Sequence, residues 1–492
     1  MDVRIYVILA AGVILRLLAW LGQHDTLAER PELVTPLTAQ RRFAEAAFLV
    51  GEDAAEYSGV APLPLALYTA LTRVLGDHQV RVVWSLLSLV METVVIWLVA
   101  TLAVRQSAEW PRGHRQSRVA PSFRLVAACL ALHPLGVLNG ASGTELPNLL
   151  ARALLLGTVL TSLRWRHCTA GAALSGALAA LTLLCDASML LPLLSVPVVL
   201  VTQARAQGQD ETVTQETPSS VAPTDQEKRL LEQCLAADQQ ALSLFQQNKT
   251  SAVSRVHPKA KTVAAVFVLS TLAAFACFGA LLSAAICSSS FCFLDAYYCF
   301  VLRVDEIAPG ISVWWYFLME VFRRFRGFFL FVFHSHCFVY FVPLVVRFWR
   351  RPVFLFAVLV AISRIFRPFP VLGDYAFAHT LLLTHMPLFT RMRSILPHVI
   401  AVMVALILGA FLFPAWQTTR NANFYYIQGL VFLCSHILML QETLVSARLV
   451  LGQATQETLR SFRSLFPQCF DSNVVTEGAD DADDGADDRK HN

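Results

Sequence analysis

Residues 314–333 read WWYFLMEVFRRFRGFFLFVF, and the class of fold turns on them. The stretch carries seven phenylalanines, at positions 317, 322, 325, 328, 329, 331 and 333. On a helix, Phe322, Phe325, Phe329 and Phe333 recur at intervals of three and four and form one apolar stripe. Arg323, Arg324 and Arg326 stand in the first half. Glu320 precedes the first two at the spacing that lets opposite charges pair on a helix surface. One end is therefore charged and the other strongly apolar. That is the profile of a helix entering a bilayer through the headgroup layer, with arginines among phosphates and rings among acyl chains. A plainer reading, an ordinary transmembrane helix with a basic flank, fits the same residues.

The rest of the chain has the same character. Of 492 residues, 56% are hydrophobic and 15% charged, and the mean hydropathy is +0.55. Soluble chains carry roughly 25% charged residues. The deficit, with repeated long apolar runs, indicates an all-α, polytopic membrane protein. A net charge of +4 calls for no nucleic-acid partner. The eleven cysteines show no CxxC pairs, so the pattern of a cysteine zinc site is absent, and no metal or cofactor is expected. The N-terminal run MDVRIYVILAAGVILRLLAWL lacks a small-residue cleavage site and reads as a retained first span.

About twelve spans follow from the apolar runs. The first, about 5–21, contains Arg16, which is costly in hydrocarbon unless it snorkels or finds a partner. A polar segment, about 22–79, holds Glu52, Asp53 and Glu56, and within it 62–75 is too short to span and should lie in the interface or re-enter. The second span, about 80–104, runs into the basic loop Arg105, Arg112, Arg115, Arg118, which marks the cytosolic side. Alternation then gives spans at about 119–138, 145–163, 169–185, 187–202, 262–286, from the opening stretch to 346, 352–367, 371–390, 395–413 and 425–447. The organisation is an N-terminal membrane region 1–202, a hydrophilic cytosolic loop 203–261, a C-terminal membrane region 262–450 and an acidic cytosolic tail 451–492. Cys287 and Cys292 fall on the luminal side, where a bridge is permitted, although free thiols are the preferred reading. Arg323, Arg324 and Arg326 also fall there, against the usual cytosolic bias of basic residues. An anionic headgroup would give those cations a purpose.

Four segments line up, in order, with one family. ERPELVTPLTAQRRFAEAAFLVGEDAAEYSG resembles the first luminal loop of the U subunit of glycosylphosphatidylinositol (GPI) transamidase, the PIG-U family. WWYFLMEVFRRFRGFFLFVF resembles its aromatic membrane-entry motif, FPVLGDYAF (369–377) its VGD segment, and FLFPAWQTTRNANFYYI (411–427) the stretch with its Asn-x-Asn-Phe element. Arg326, followed by Gly327, departs from the family's Ser in the aromatic motif. The resemblance implies a non-catalytic subunit in the endoplasmic-reticulum membrane that holds or presents the GPI lipid. It also implies partner subunits, one of them a cysteine-protease-like catalytic subunit. The family further resembles the membrane region of polytopic glycosyltransferases that use lipid-linked sugars.

The residues speak to the same question. Transamidation needs an activated nucleophile, commonly a cysteine beside a histidine. His334, His336 and Cys337 form the densest cluster, but they lie inside an apolar span, where a packed role is the expected one. The rival function is a polytopic mannosyl- or glucosyltransferase using Glu52 and Asp53 as base or metal ligands. For a lipid site, Arg323, Arg324 and Arg326 suit phosphate oxygens, and Asn421 and Asn423 offer donors and acceptors to glycan hydroxyls. The stripe Phe322, Phe325, Phe329, Phe333 would line acyl chains. Asn423 can equally serve as an N-cap for the last span.

Overall fold

A computed structural model describes residues 3–51, 59–106, 123–165, 168–201, 258–286, 291–349, 351–389, 392 and 395–465. Among these residues the regular structure is helical throughout, with no strand. Two compact units divide the chain. One takes 1–214 and 256–447, and the other 215–255 and 448–492. Of the second unit, 448–465 are described, and they are helical. Everything below concerns the first unit.

The helices fall where the apolar runs predict. They are α1 (Val3–Ala28), α2 (Gln40–Gly51), α3 (Pro62–Leu75), α4 (Asp77–Gln106), α5 (Phe123–Ala131), α6 (Pro134–Gly140), α7 (Leu146–Arg164) and α8 (Thr169–Cys185). After the apolar segment Ala187–Val201 come α9 (Pro258–Ile286), α10 (Trp314–Glu320), α11 (Arg323–Val339), α12 (Phe341–Phe348) and α13 (Pro352–Ile365). The last are α14 (Leu372–Leu383), α15 (Ile395–Thr419) and α16 (Asn423–Leu465). Six helical segments are long and apolar enough to cross a membrane: Gln79–Arg105, Leu146–Arg164, Lys261–Ile286, Arg323–Phe348, Ile395–Thr419 and Asn423–Val450. The other expected spans are shorter or broken. Prolines set several boundaries: Pro62, Pro134, Pro147 and Pro352 occupy the first turn of their helices, where the missing N–H costs nothing.

The short segment 62–75 is a helix of that length, with Leu65 and Tyr68 buried beside Phe43 and Trp84. Tyr68 and Trp84 meet edge to face at 5.1 Å. Its outer side stays uncovered, with Val74 exposed.

Three features differ from the sequence reading. The opening stretch is not one helix. Val321 and Phe322 are both extended (ψ 131° and 137°), so α10 ends at Glu320 and α11 starts at Arg323. The break puts Glu320 out of helical register with Arg323 and Arg324, and no ion pair joins them among the described residues. Cys292 is disulfide-bonded rather than free, and Cys287 lies outside the described residues. Segment 287–312, expected as a luminal connection between spans, contributes buried Tyr297, Phe300, Val304 and Ile311 to the core through its described part.

Arg16 has found its partner. It is buried and pairs with Glu92 of α4 at 2.7 Å, while its guanidinium also donates to the carbonyls of Gly12 and Ala131. Gly140 of α6 makes room, since a Cβ there would come within 2.8 Å of the Glu92 carboxylate. A buried pair of this kind is strongly destabilised by losing one member, by about 3–5 kcal/mol, and tolerates loss of both far better. Arg16→Met alone should therefore reduce the yield of folded protein sharply in detergent. Arg16→Met with Glu92→Leu should recover most of it, as measured by monodisperse protein on size exclusion.

Candidate functional site

Segments that the alternating spans assign to one side do meet at one end of the bundle. The Leu372 amide donates to the Glu32 carbonyl (3.1 Å), and the Ala187 amide to the Tyr297 hydroxyl (3.2 Å). The Ser312 hydroxyl donates to the Pro368 carbonyl (2.8 Å), and the Gly59 amide to the Ala296 carbonyl (2.7 Å).

Beneath these contacts lies a buried group of charges. Asp374, in the first turn of α14, accepts from three arginines: Arg152 of α7 (3.1 Å) and Arg364 of α13 (3.2 Å) at Oδ1, and Arg367 (2.8 Å) at Oδ2. Its Oδ2 also takes the Val371 amide at 3.2 Å, which caps the helix from within. Arg152 reaches on to Glu145 at 2.9 Å, and Arg364 to Asp186 at 3.0 Å. Asp186, in the turn after α8, is also 3.4 Å from Arg367. Burial pushes the Asp186 carboxyl up, and Arg367 and Arg364 more than offset this, holding it below the usual carboxylate range. Three arginines face three carboxylates, and all six are buried.

An aromatic shelf stands on the same end. Trp315 of α10 lies 5.9 Å from Trp416 of α15 and 5.9 Å from Tyr426 of α16, ring centre to ring centre. Trp416 stacks on Tyr425 at 5.6 Å with their planes within 13°. Tyr316 and Tyr426 are 4.6 Å apart. Arg30 closes the shelf, sitting 4.6 Å over Phe413 while gripping Glu32 through both arms (3.1 and 3.0 Å).

The residues singled out from sequence fall into distinct settings. Arg323 and Arg324 are exposed at the start of α11, with no ion pair or side-chain hydrogen bond among the described residues. Arg326 turns to its own chain and donates to the carbonyls of Val304 (2.6 Å) and Arg303 (3.4 Å), at the left-handed Val304 that ends the helical turn Phe300–Arg303. The four-phenylalanine stripe divides. Phe322 and Phe325 are 79% and 53% exposed, whereas Phe329 and Phe333 pack on Phe317 at 5.0 and 4.9 Å. Phe328 and Phe331 join the exposed set, because the side of α11 that packs on Phe317 is the one carrying Phe329 and Phe333. Asn421 and Asn423 are both exposed. The Asn421 side chain accepts the Asn423 amide at 3.1 Å, so the cap is Asn421 rather than Asn423. The Asn423 side chain has no partner among the described residues. No hydrogen bond or ion pair joins the arginines to the asparagines among the described residues. Through Trp315 and Tyr426 the structure brings α10, the helix before the arginines, against α16. Glu52 and Asp53 lie outside the described residues.

A family model described as GPI transamidase subunit PIG-U matches residues 10–432. The chain belongs to that family. Among curated relatives, "GPI-anchor transamidase component PIGU" of Mus musculus is 32% identical over 160 residues, which is 31% of this chain and 36% of the mouse protein. The Homo sapiens protein of that name is 31% identical over 160 residues, again 31% of this chain and 36% of the human one. "GPI transamidase component GAB1" of Saccharomyces cerevisiae is 29% identical over 147 residues, covering 30% of this chain and 37% of the yeast protein. The chain thus aligns with a little over a third of the length of the relatives it matches.

The different settings of the family's two asparagines here yield separate expectations. Asn421→Ala removes a cap and should cost about 1 kcal/mol of local stability. It should be visible as faster amide exchange over residues 423–427. Asn423→Ala removes no described interaction and should leave that exchange unchanged.

Proposed function

We propose that this chain is a non-catalytic membrane subunit of a GPI transamidase, and that it holds or presents the GPI lipid to a cysteine-protease-like partner subunit. The observation that carries the reading is the start of α11. Arg323 and Arg324 stand there uncommitted, directly above a helix whose outward face is bare phenylalanine. A GPI has an anionic phosphoinositol, a hydroxyl-rich glycan and acyl chains. Exposed guanidinium groups suit its phosphates, the unpartnered Asn423 amide suits its glycan, and Phe322, Phe325, Phe328 and Phe331 suit its chains. In this reading this end of the bundle faces the endoplasmic-reticulum lumen, with both termini and 203–261 in the cytosol.

The settings of the histidines support a role without a nucleophile. His334 directs Nε2 to the Leu302 carbonyl at 3.0 Å and rests 4.8 Å from the Trp314 ring. His336 spends Nδ1 on the Phe333 carbonyl at 2.6 Å, although the Cys337 thiol is 3.7 Å from its other ring nitrogen. The two lie on neighbouring residues of one helix. Both belong to the apolar segment Arg323–Phe348, where a packed role is the expected one.

The test is purification of the complex in mild detergent, with GPI and partner-subunit yield read side by side. Arg323→Gln with Arg324→Gln should lower GPI recovery about tenfold, the scale of one charge-assisted hydrogen bond, without changing subunit yield. Asn423→Ala should lower it less. Unchanged GPI recovery in both variants would remove this surface from lipid binding. Transfer of a sugar from a polyprenyl donor by the purified chain, abolished by Glu52→Gln or Asp53→Asn, would establish a glycosyltransferase instead.

A further inference from the structure

Away from the shelf, three histidines from three helices converge. His379 lies on α14, His398 on α15 and His436 on α16, and one ring nitrogen from each lies within 4.8 Å of the others. The rings of His379 and His436 stack at 4.9 Å, and His398 stands across both at 5.4 and 5.2 Å. His436 and His398 are buried, and His379 is half-buried with its Nε2 enclosed.

The hydrogen bonds decide what this group can do. His436 directs Nδ1 to the Phe432 carbonyl at 2.6 Å, and His398 directs Nδ1 to the Ser435 carbonyl at 2.9 Å. A carbonyl only accepts, so in both rings Nδ1 carries the hydrogen, and a neutral imidazole then has its lone pair on Nε2. His379 has Nδ1 3.4 Å from Nε2 of His133, leaving its own Nε2 directed elsewhere. The Nε2 atoms of His379 and His436 are buried with no hydrogen-bond partner. An orphaned buried ring nitrogen is costly, and here two belong to stacked rings with a third imidazole beside them. Nδ1 held by a backbone carbonyl or another acceptor, with Nε2 left free, is the way metal-bound histidines are oriented.

We propose that His379, His398 and His436 bind a late first-row transition-metal ion, zinc first, through their Nε2 atoms. Three imidazoles without a carboxylate exclude calcium and magnesium, which take oxygen ligands. Tetrahedral zinc needs nitrogens roughly 3.3 Å apart, given metal–nitrogen bonds of about 2.0–2.1 Å, so ring rotations of the order of an ångström close the site. The fourth position goes to a water-derived ligand. Tyr375 and Phe432 wall the site at 4.4 Å from the His436 ring and keep bulk water from it. The ion would join three helices whose other ends carry Asp374 and the Asn421 turn. His436 is about 20 Å along α16 from Asn423 at 1.5 Å per residue, so this site is separate from the proposed lipid surface.

Sequence spacing hides such a site. Nineteen residues separate His379 from His398 and 38 separate His398 from His436, so no local motif forms. The cysteine pattern, which argues against a thiolate zinc site, is silent about imidazoles.

The experiment is elemental analysis of the complex purified without chelators, comparing wild type, His398→Gln and His436→Gln at equal amounts of this chain. The wild type should carry about one more equivalent of zinc, copper, iron, nickel or cobalt per chain than either variant. In a second measurement the wild-type complex is treated with a chelator and then with zinc alone. Its thermal midpoint should fall and then recover, whereas His398→Gln should respond to neither. Equal metal content in wild type and variants overturns the proposal. If neither variant assembles, the chelation series on the wild type decides, and a midpoint that does not move overturns it too.

Discussion

Asp374 is the point from which the described architecture can be understood. Its two oxygens hold arginines from α7, from α13 and from the connection that follows α13, and two of those arginines also reach Asp186 after α8. A carboxylate with three guanidinium partners is tolerable in an apolar bundle only because every member is paired. The same requirement makes the arrangement specific. Each helix must arrive in one register, or a charge is left bare in a low-dielectric interior at a cost of several kcal/mol. The surrounding apolar packing supplies bulk stability. The charges specify which packing is adopted.

That specificity reaches the surface through short connections. Asp374 caps α14 through Val371, the neighbouring Leu372 amide binds the Glu32 carbonyl, and Glu32 holds Arg30 over Phe413. Phe413 in turn lies 5.4 Å from Tyr425 of the shelf. The aromatic shelf is therefore tied to the charged interior by a continuous chain of contacts. A change at Asp374 is communicated to the shelf as geometry.

Much of this was legible in the sequence. The long apolar runs gave the helices, the short run at 62–75 gave its helix, and a lone Arg16 in a span demanded the partner that Glu92 provides. Arg152, Arg364, Arg367, Glu145 and Asp186 carried the same signal, charges set in or beside apolar runs. Their pairing was not readable, because Arg152 and Asp374 are 222 residues apart and nothing local relates them. The break at Val321 and Phe322 had no glycine or proline to announce it, and the predicted phenylalanine stripe divides between Phe325 and Phe329, where packing on Phe317 begins. Asn421 takes the capping role expected of Asn423 because the helix already includes Asn423, and Arg420 just before it takes a left-handed conformation (φ 62°).

The balance of charge in the interior has an electrical consequence at the rim. Three cations and three anions packed within a few ångströms make a multipole with no net charge, and its field decays faster with distance than that of any single ion. An anion approaching this end of the bundle meets little from the six buried groups, however close they lie. It responds to exposed charges such as Arg323 and Arg324, whose long-range attraction the interior neither adds to nor cancels. The protein can thus stiffen its core with strong ions and leave the potential at its surface to be tuned by one or two residues.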